Sequence, residues 1–168
     1  MIARLRRKAA SFLRLRAFVL AWLLPSWILM GLFALALRLL PIRRIAPLFG
    51  QGIGATAYVP LLPPAQRGRA GDLKQVIDVT ARYAPFRSDC FPQALVAVTL
   101  CRLFRLPFAM HFGIRLDPDK GGQALAAHAW VVSGPLAISG GNRSFGEFNA
   151  VGCFVSRNLA GLARQKAR

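Results

Sequence analysis

Ser88-Asp89-Cys90-Phe91-Pro92-Gln93-Ala94-Leu95 is the stretch around which the rest of the chain is organised. Proline lacks a backbone N–H and sits comfortably in a helix only in its first turn, so Pro92 marks a helix start. Asp89 or Ser88 is placed to cap that turn. Cys90 then stands in the opening turn, where unpaired N–H groups and the positive end of the helix dipole favour thiolate over thiol. The residues that follow, from Ala94 to Phe104, are apolar almost all round, which predicts a central buried helix. It should run to Leu106 and stop before Pro107, with Arg102 and Arg105 complementing its C-terminal dipole. Cys101 lies on this helix among apolar neighbours and reads as a packed core thiol.

Downstream the pattern changes to strands. Residues 108–116, 126–133, 136–138 and 147–155 are four extended runs, separated by turn residues such as 117–122 and Gly134-Pro135. Short links between consecutive strands favour an antiparallel sheet. A buried helix laid on such a sheet is an α+β arrangement. A basic tail, 157–168, follows.

Upstream, residues 71–84 carry Leu73, Val76, Ile77 and Thr80 on one stripe, with Tyr83 close to it, and predict an amphipathic helix ended by Pro85. Pro41 to Ala70 is rich in Pro and Gly, and Gly50-x-Gly52-x-Gly54 reads as turns. It has neither the strand–turn–helix context nor the Lys-Ser/Thr of a nucleotide loop. Ala17 to Leu37 runs 21 residues without a charge, with Pro25 inside. By length it is a candidate single-pass transmembrane segment. Pro25 offers another arrangement, a break into two shorter helices that pack on the domain or lie in a membrane interface. Six basic residues precede the run, against Arg38, Arg43 and Arg44 after it, so a span would export the rest of the chain. Three parts follow: a basic N-terminus and hydrophobic segment (1–48), a connector (49–70) and the helix–sheet domain (71–168).

Composition narrows the partners. The formal charge is +17, and 19 of the 23 basic residues are Arg, so the charge persists through neutral pH. An anionic partner is expected, with an anionic membrane surface or acidic peptide ahead of nucleic acid, for which no recognition signature is present. Cys90, Cys101 and Cys153 form no CxxC pair, and His111 and His128 are the only histidines. This spacing fits neither a zinc site nor a disulfide framework, and free thiols suit a reducing compartment.

One constellation carries chemistry. On the second strand of the domain, His128, Trp130 and Val132 share a face. With that face turned to the mouth of the cysteine helix, His128 would hydrogen-bond Cys90, giving a thiolate nucleophile and a proton donor for acyl transfer. A buried thiol and a satisfied core histidine account for the same two residues, and spacing alone leaves both readings open. His111, mid-strand between Met110 and Phe112, reads as structural.

Taken in order, Cys90-Phe91-Pro92-Gln93-Ala94-Leu95, Met110-His111-Phe112-Gly113-Ile114-Arg115 and Ala127-His128-Ala129-Trp130-Val131 resemble the lasso-peptide maturation protease family, the transglutaminase-like leader peptidases. Leu37 to Ile45 and Tyr83 to Arg87 add to the likeness, which extends over most of the chain after residue 17. The resemblance implies a papain/transglutaminase-like fold and a cysteine peptidase that removes the leader from a ribosomally made precursor peptide. It implies Cys90 as nucleophile and His128 as base, with coupling to ATP and to an asparagine-synthetase-like macrocyclase. No motif for a bound cofactor or metal accompanies it. Family members often carry an Asp about a dozen residues after the His. Here residues 137–142 offer no carboxylate, and Asn142 is the nearest third member, with Glu147 farther off. No leader-recognition domain precedes the hydrophobic segment, so a leader-recognition protein in trans is expected. The expected location is the cytoplasm, at the inner membrane. The missing Asp and the long hydrophobic segment support an alternative, a membrane-associated non-catalytic scaffold of the same fold.

Overall fold

The computed structural model describes residues 17–84, 89–117, 124–141 and 144–156. The N-terminal basic residues, the 157–168 tail, Ser88 and Asn142 lie outside them. Three long helices, α1 (Ala17–Leu39), α2 (Arg67–Tyr83) and α3 (Cys90–Leu103), pack with five strands. These are β1 (Gln51–Gly54), β2 (Ala109–Asp117), β3 (Ala124–Ser133), β4 (Leu136–Ser139) and β5 (Asn149–Val155). The sheet is antiparallel in the order β1-β5-β2-β3-β4. The expected α+β architecture, a buried central helix on an antiparallel sheet with an apolar N-terminal helix, is therefore the one observed.

Helix α3 is the centre of the core. Ala94, Leu95, Val96, Ala97, Val98, Leu100 and Cys101 are all buried. One side meets β3 and β4, and α1 and α2 cover the rest. The helix ends at Leu103, three residues earlier than expected, because the chain closes with a Schellman-type turn. Leu106 N–H bonds the Cys101 carbonyl at 2.8 Å and Arg105 N–H bonds that of Arg102 at 3.0 Å, with Arg105 at φ 54°. Asp89 holds the N-cap position, but its side chain makes no capping bond to the helix.

Helix α2 buries Ala70, Leu73, Val76, Ile77 and Thr80, the stripe that its periodicity predicts. It starts earlier than expected, because a single turn over Pro64–Gln66 feeds straight into it. Helix α1 is continuous through Pro25, so the expected break into two helices does not occur. A mid-helix proline removes one backbone bond at a cost of about 3 kcal/mol. Packing on both sides of it offsets that cost: Val19, Leu23 and Met30 are buried. Trp27 Nε1–H also donates to the Thr80 carbonyl at 2.9 Å, satisfying a backbone group that the end of α2 leaves unpaired. Phe18 and Trp22 close the other end of the interface, each at 5.2 Å and edge-on to Phe104.

The glycine run 50–54 forms strand β1 against β5 instead of the turns expected of it. Residues 144–147 form a single helical turn, so the last strand begins at Asn149. Inserting β5 between β1 and β2 puts Cys153 opposite His111. On the sheet face away from α3, Cys153 Sγ lies 3.4 Å from His111 Nε2, which also accepts the Tyr58 backbone N–H at 3.2 Å. His111 stacks on Trp130 with ring centroids 5.2 Å apart. Both partners are buried and neutral: burial pushes the His111 pKa down to about 4 and the Cys153 thiol up to about 12.

His111 therefore links stability to acid. Its folded pKa lies below the ordinary 6.5, so its contribution is complete above pH 6.5 and is lost as pH falls towards about 4. Denaturant titrations should show about 2 kcal/mol less stability at pH 5 than at pH 7 from this residue. His111→Gln should flatten that part of the pH dependence.

Candidate active site

Strand β4 pairs with β3 only from Val131 to Ser133. Towards its start, β3 therefore presents a bare outer edge, and the mouth of α3 is docked there. The Ala129 backbone N–H hydrogen-bonds the Cys90 sulfur, and so does the His128 side chain. The expected contact is present, but its route differs from the expected one. Alternation along β3 puts Ala129 and Val131 in the core with α3 and sends His128 and Trp130 to the opposite face. The imidazole reaches the thiol round the strand edge, which is open only because β4 has ended.

The ring is held from three sides. His128 stacks on Trp130 at 5.8 Å and packs on Phe148 at 4.8 Å. Its Nε2 lies 3.0 Å from the Gly140 carbonyl. A carbonyl only accepts, so Nε2 carries the proton and Nδ1 is left for the thiol. The Ser144 hydroxyl also donates to the Gly140 carbonyl, at 2.8 Å. A main-chain oxygen twelve residues after the histidine thus occupies the place where a carboxylate was sought. Asn142 lies outside the described residues. Glu147 contributes only through its charge, which helps to raise the His128 pKa.

Gly140 is constrained twice over. Its φ is +85°, and a Cβ there would lie 2.3 Å from Trp130 Cβ and 3.1 Å from His128 Nε2. Across the strand pair, Gly113 faces His128, and a Cβ on it would come within 2.7 Å of the Trp130 ring. The ring stack that orients His128 needs both glycines. Only the Gly140-Gly141 pair hinted at this in the sequence.

The electrostatics favour charge separation. Burial works to raise the Cys90 pKa, but the hydrogen bonds from His128 and Ala129 and the imidazolium charge outweigh it, and the thiol is lowered from 9.0. His128 is raised from 6.5, chiefly by its bond to Cys90 against the opposing effect of burial. Cys101, fully buried on the same helix, is pushed up to about 12. The pair opens into an apolar groove of about 490 Å³, walled by Phe49, Phe91, Phe112 and Phe154. Their rings meet at centroid distances of 5.3 to 5.7 Å. A larger cleft of about 590 Å³, beside Arg102 and Arg105, lies at the other end of α3 and has neither Cys nor His in its lining.

A buried helix whose first residue is a cysteine, set against an antiparallel sheet that supplies the histidine, matches a known family. Residues 36–152 fit the model of the transglutaminase-like superfamily. The chain belongs to that superfamily. The match starts in the last turn of α1 and ends within β5, so it takes in α2, α3, strands β1 to β4, the start of β5 and both members of the Cys–His pair. No curated protein and no solved structure shows significant similarity to the chain. In this transglutaminase-like domain the pair can in principle form a thioester with an acyl group and deliver a proton to the group that leaves.

Two measurements test the geometry. Gly141 also has a positive φ, +86°, but open space around it. Gly141→Ala should cost about 1 kcal/mol of backbone strain, and Gly140→Ala about 2–4 kcal/mol through added overpacking, both read by denaturant unfolding. The lowered Cys90 pKa keeps thiolate present as pH falls below 9.0, whereas Cys101 and Cys153 stay protonated. At pH 7, iodoacetamide should label Cys90 at least about tenfold faster than either. His128→Ala should abolish that advantage.

Proposed function

We propose that this chain is a cysteine peptidase that removes the leader from a ribosomally synthesised precursor peptide during lasso-peptide maturation. The observation that carries the reading is the Cys90–His128 pair, with His128 oriented from behind by the Gly140 carbonyl, at the floor of a groove open to substrate. The motif resemblance narrows the acyl-transfer chemistry of the superfamily to leader peptides.

The residues divide the reaction as follows. Cys90 thiolate attacks the scissile carbonyl carbon, and the carbonyl oxygen takes the negative charge. Backbone N–H groups in the first turn of α3 are suited to hold that oxyanion. As the C–N bond breaks, His128 gives its Nδ1 proton to the departing amine, leaving a thioester on Cys90. Water then adds to the thioester while His128 takes the water's proton. Collapse releases the leader's new carboxyl end and restores the thiolate–imidazolium pair.

In this reading a leader-recognition protein presents the precursor in trans, and an asparagine-synthetase-like macrocyclase takes the released core peptide. The work is done in the cytoplasm, in keeping with three free cysteines. ATP belongs to the pathway's coupling. Among the described residues, Gln51–Gly54 forms a strand and not a phosphate loop, and no step is routed through ATP.

The rival, a non-catalytic scaffold of the same fold, draws support from the neutral carbonyl standing where family members often have a carboxylate. One assay separates the two. With precursor and recognition protein present, Cys90→Ala and His128→Ala should each lower cleavage by at least about a thousandfold, while Cys101→Ala, if it folds, should cleave like wild type. Wild-type cleavage by Cys90→Ala would end the peptidase reading.

A further inference from the structure

Helix α1 is apolar on two sides, and the domain covers one of them. Val19, Leu23 and Met30 are buried against it. On the other side Leu20, Leu24, Ile28, Leu32, Leu35 and Leu39 recur every three or four residues and are exposed, Leu24 to 62% and Leu39 to 70%. They form a stripe about 28 Å long. Water rarely faces so long an aliphatic row on a protein without a partner.

The charge around the stripe identifies the partner. No acidic residue occurs before Asp72. The same stretch holds eleven basic residues, six of them immediately ahead of α1. Arg38, Arg43 and Arg44 are exposed at its far end. A leucine row bordered by cations alone complements an anionic lipid surface, where aliphatic groups enter the acyl boundary and guanidinium groups meet headgroups. It does not complement a second copy of itself, since pairing two such rows would bring the cations together.

We propose that α1 lies in the plane of an anionic bilayer and anchors the domain there without crossing it. Crossing would strip Val19, Leu23 and Met30 from the core and break the Trp27–Thr80 bond. The stripe also runs on into Ile42, 54% exposed, which is a wall of the groove beside Cys90. The anchored face therefore sets the mouth of that groove at the membrane surface. This last consequence rests on the peptidase reading; the anchor does not.

The full chain is co-sedimented with vesicles of phosphatidylcholine alone or mixed with phosphatidylglycerol, with no peptide substrate present. Binding should require phosphatidylglycerol, weaken with salt, and be reversed by an alkaline carbonate wash. Leu24→Glu combined with Leu32→Glu should weaken it by at least about tenfold while keeping the wild-type unfolding temperature, as both side chains face solvent. Should that variant misfold, Arg43→Gln with Arg44→Gln should still lower binding to the anionic vesicles only. Retention after carbonate would establish a span and overturn the proposal. So would equal binding to both lipid mixtures, undiminished binding by a folded glutamate variant, or a stripe-dependent dimer that ignores vesicles. Because no cleavage is read, these outcomes are independent of whether Cys90 is a nucleophile.

Discussion

The early end of β4 is the constraint on which the candidate site depends. Ser139 is its last residue, paired with Val131, and beyond it the chain turns away at Gly140. That leaves the outer edge of β3 unpaired where Ala129 and His128 stand. A free strand edge offers backbone donors in need of partners. Here one of them, the Ala129 N–H, is taken by the Cys90 sulfur. The same turn aims the Gly140 carbonyl back at His128 Nε2. One feature of the sheet thus sets the thiol, selects the tautomer of the imidazole and holds the ring.

The chain contains two Cys–His contacts, and their comparison shows what favours the charged forms in one of them. Cys153 and His111 meet at 3.4 Å, buried in the cluster that includes Trp130 and Tyr58. Burial there disfavours both charged forms, and the pair stays neutral. Cys90 and His128 are only partly buried. Both have hydrogen-bond partners that favour the charged forms, an N–H for the thiolate and a carbonyl for the imidazolium. Residue types are the same in the two pairs; water access and the second hydrogen-bond partner differ.

Much of the architecture was legible along the chain because it is locally encoded. Pro92 after Cys90 marks a helix start, the 73/76/77/80 stripe marks a buried helix face, and short turns mark an antiparallel sheet. Features that depend on distant partners are not legible in the local sequence. Pro25 does not break α1, because burial on both sides of it outweighs one lost backbone bond. The glycines of β1 have no strand propensity of their own and become a strand by pairing with β5, a hundred residues later. Helix α3 stops at Leu103 because its end is drawn into a tight turn, with Arg105 in a conformation more often given to glycine.

What the amino-acid order by itself determined is the chemistry available: a cysteine at a helix mouth, a histidine on a strand, a charge-free 21-residue run and a first 71 residues whose only charged side chains are basic. These are properties of residue type and spacing, which no packing can change. Tertiary structure decided how they are used. It brought His128 to Cys90 from the opposite sheet face, set a main-chain carbonyl behind the ring, and covered one side of α1 while leaving the other bare. A backbone carbonyl is present at every residue, so no sequence pattern can say which one will orient the imidazole. Only the turn after β4 selects Gly140.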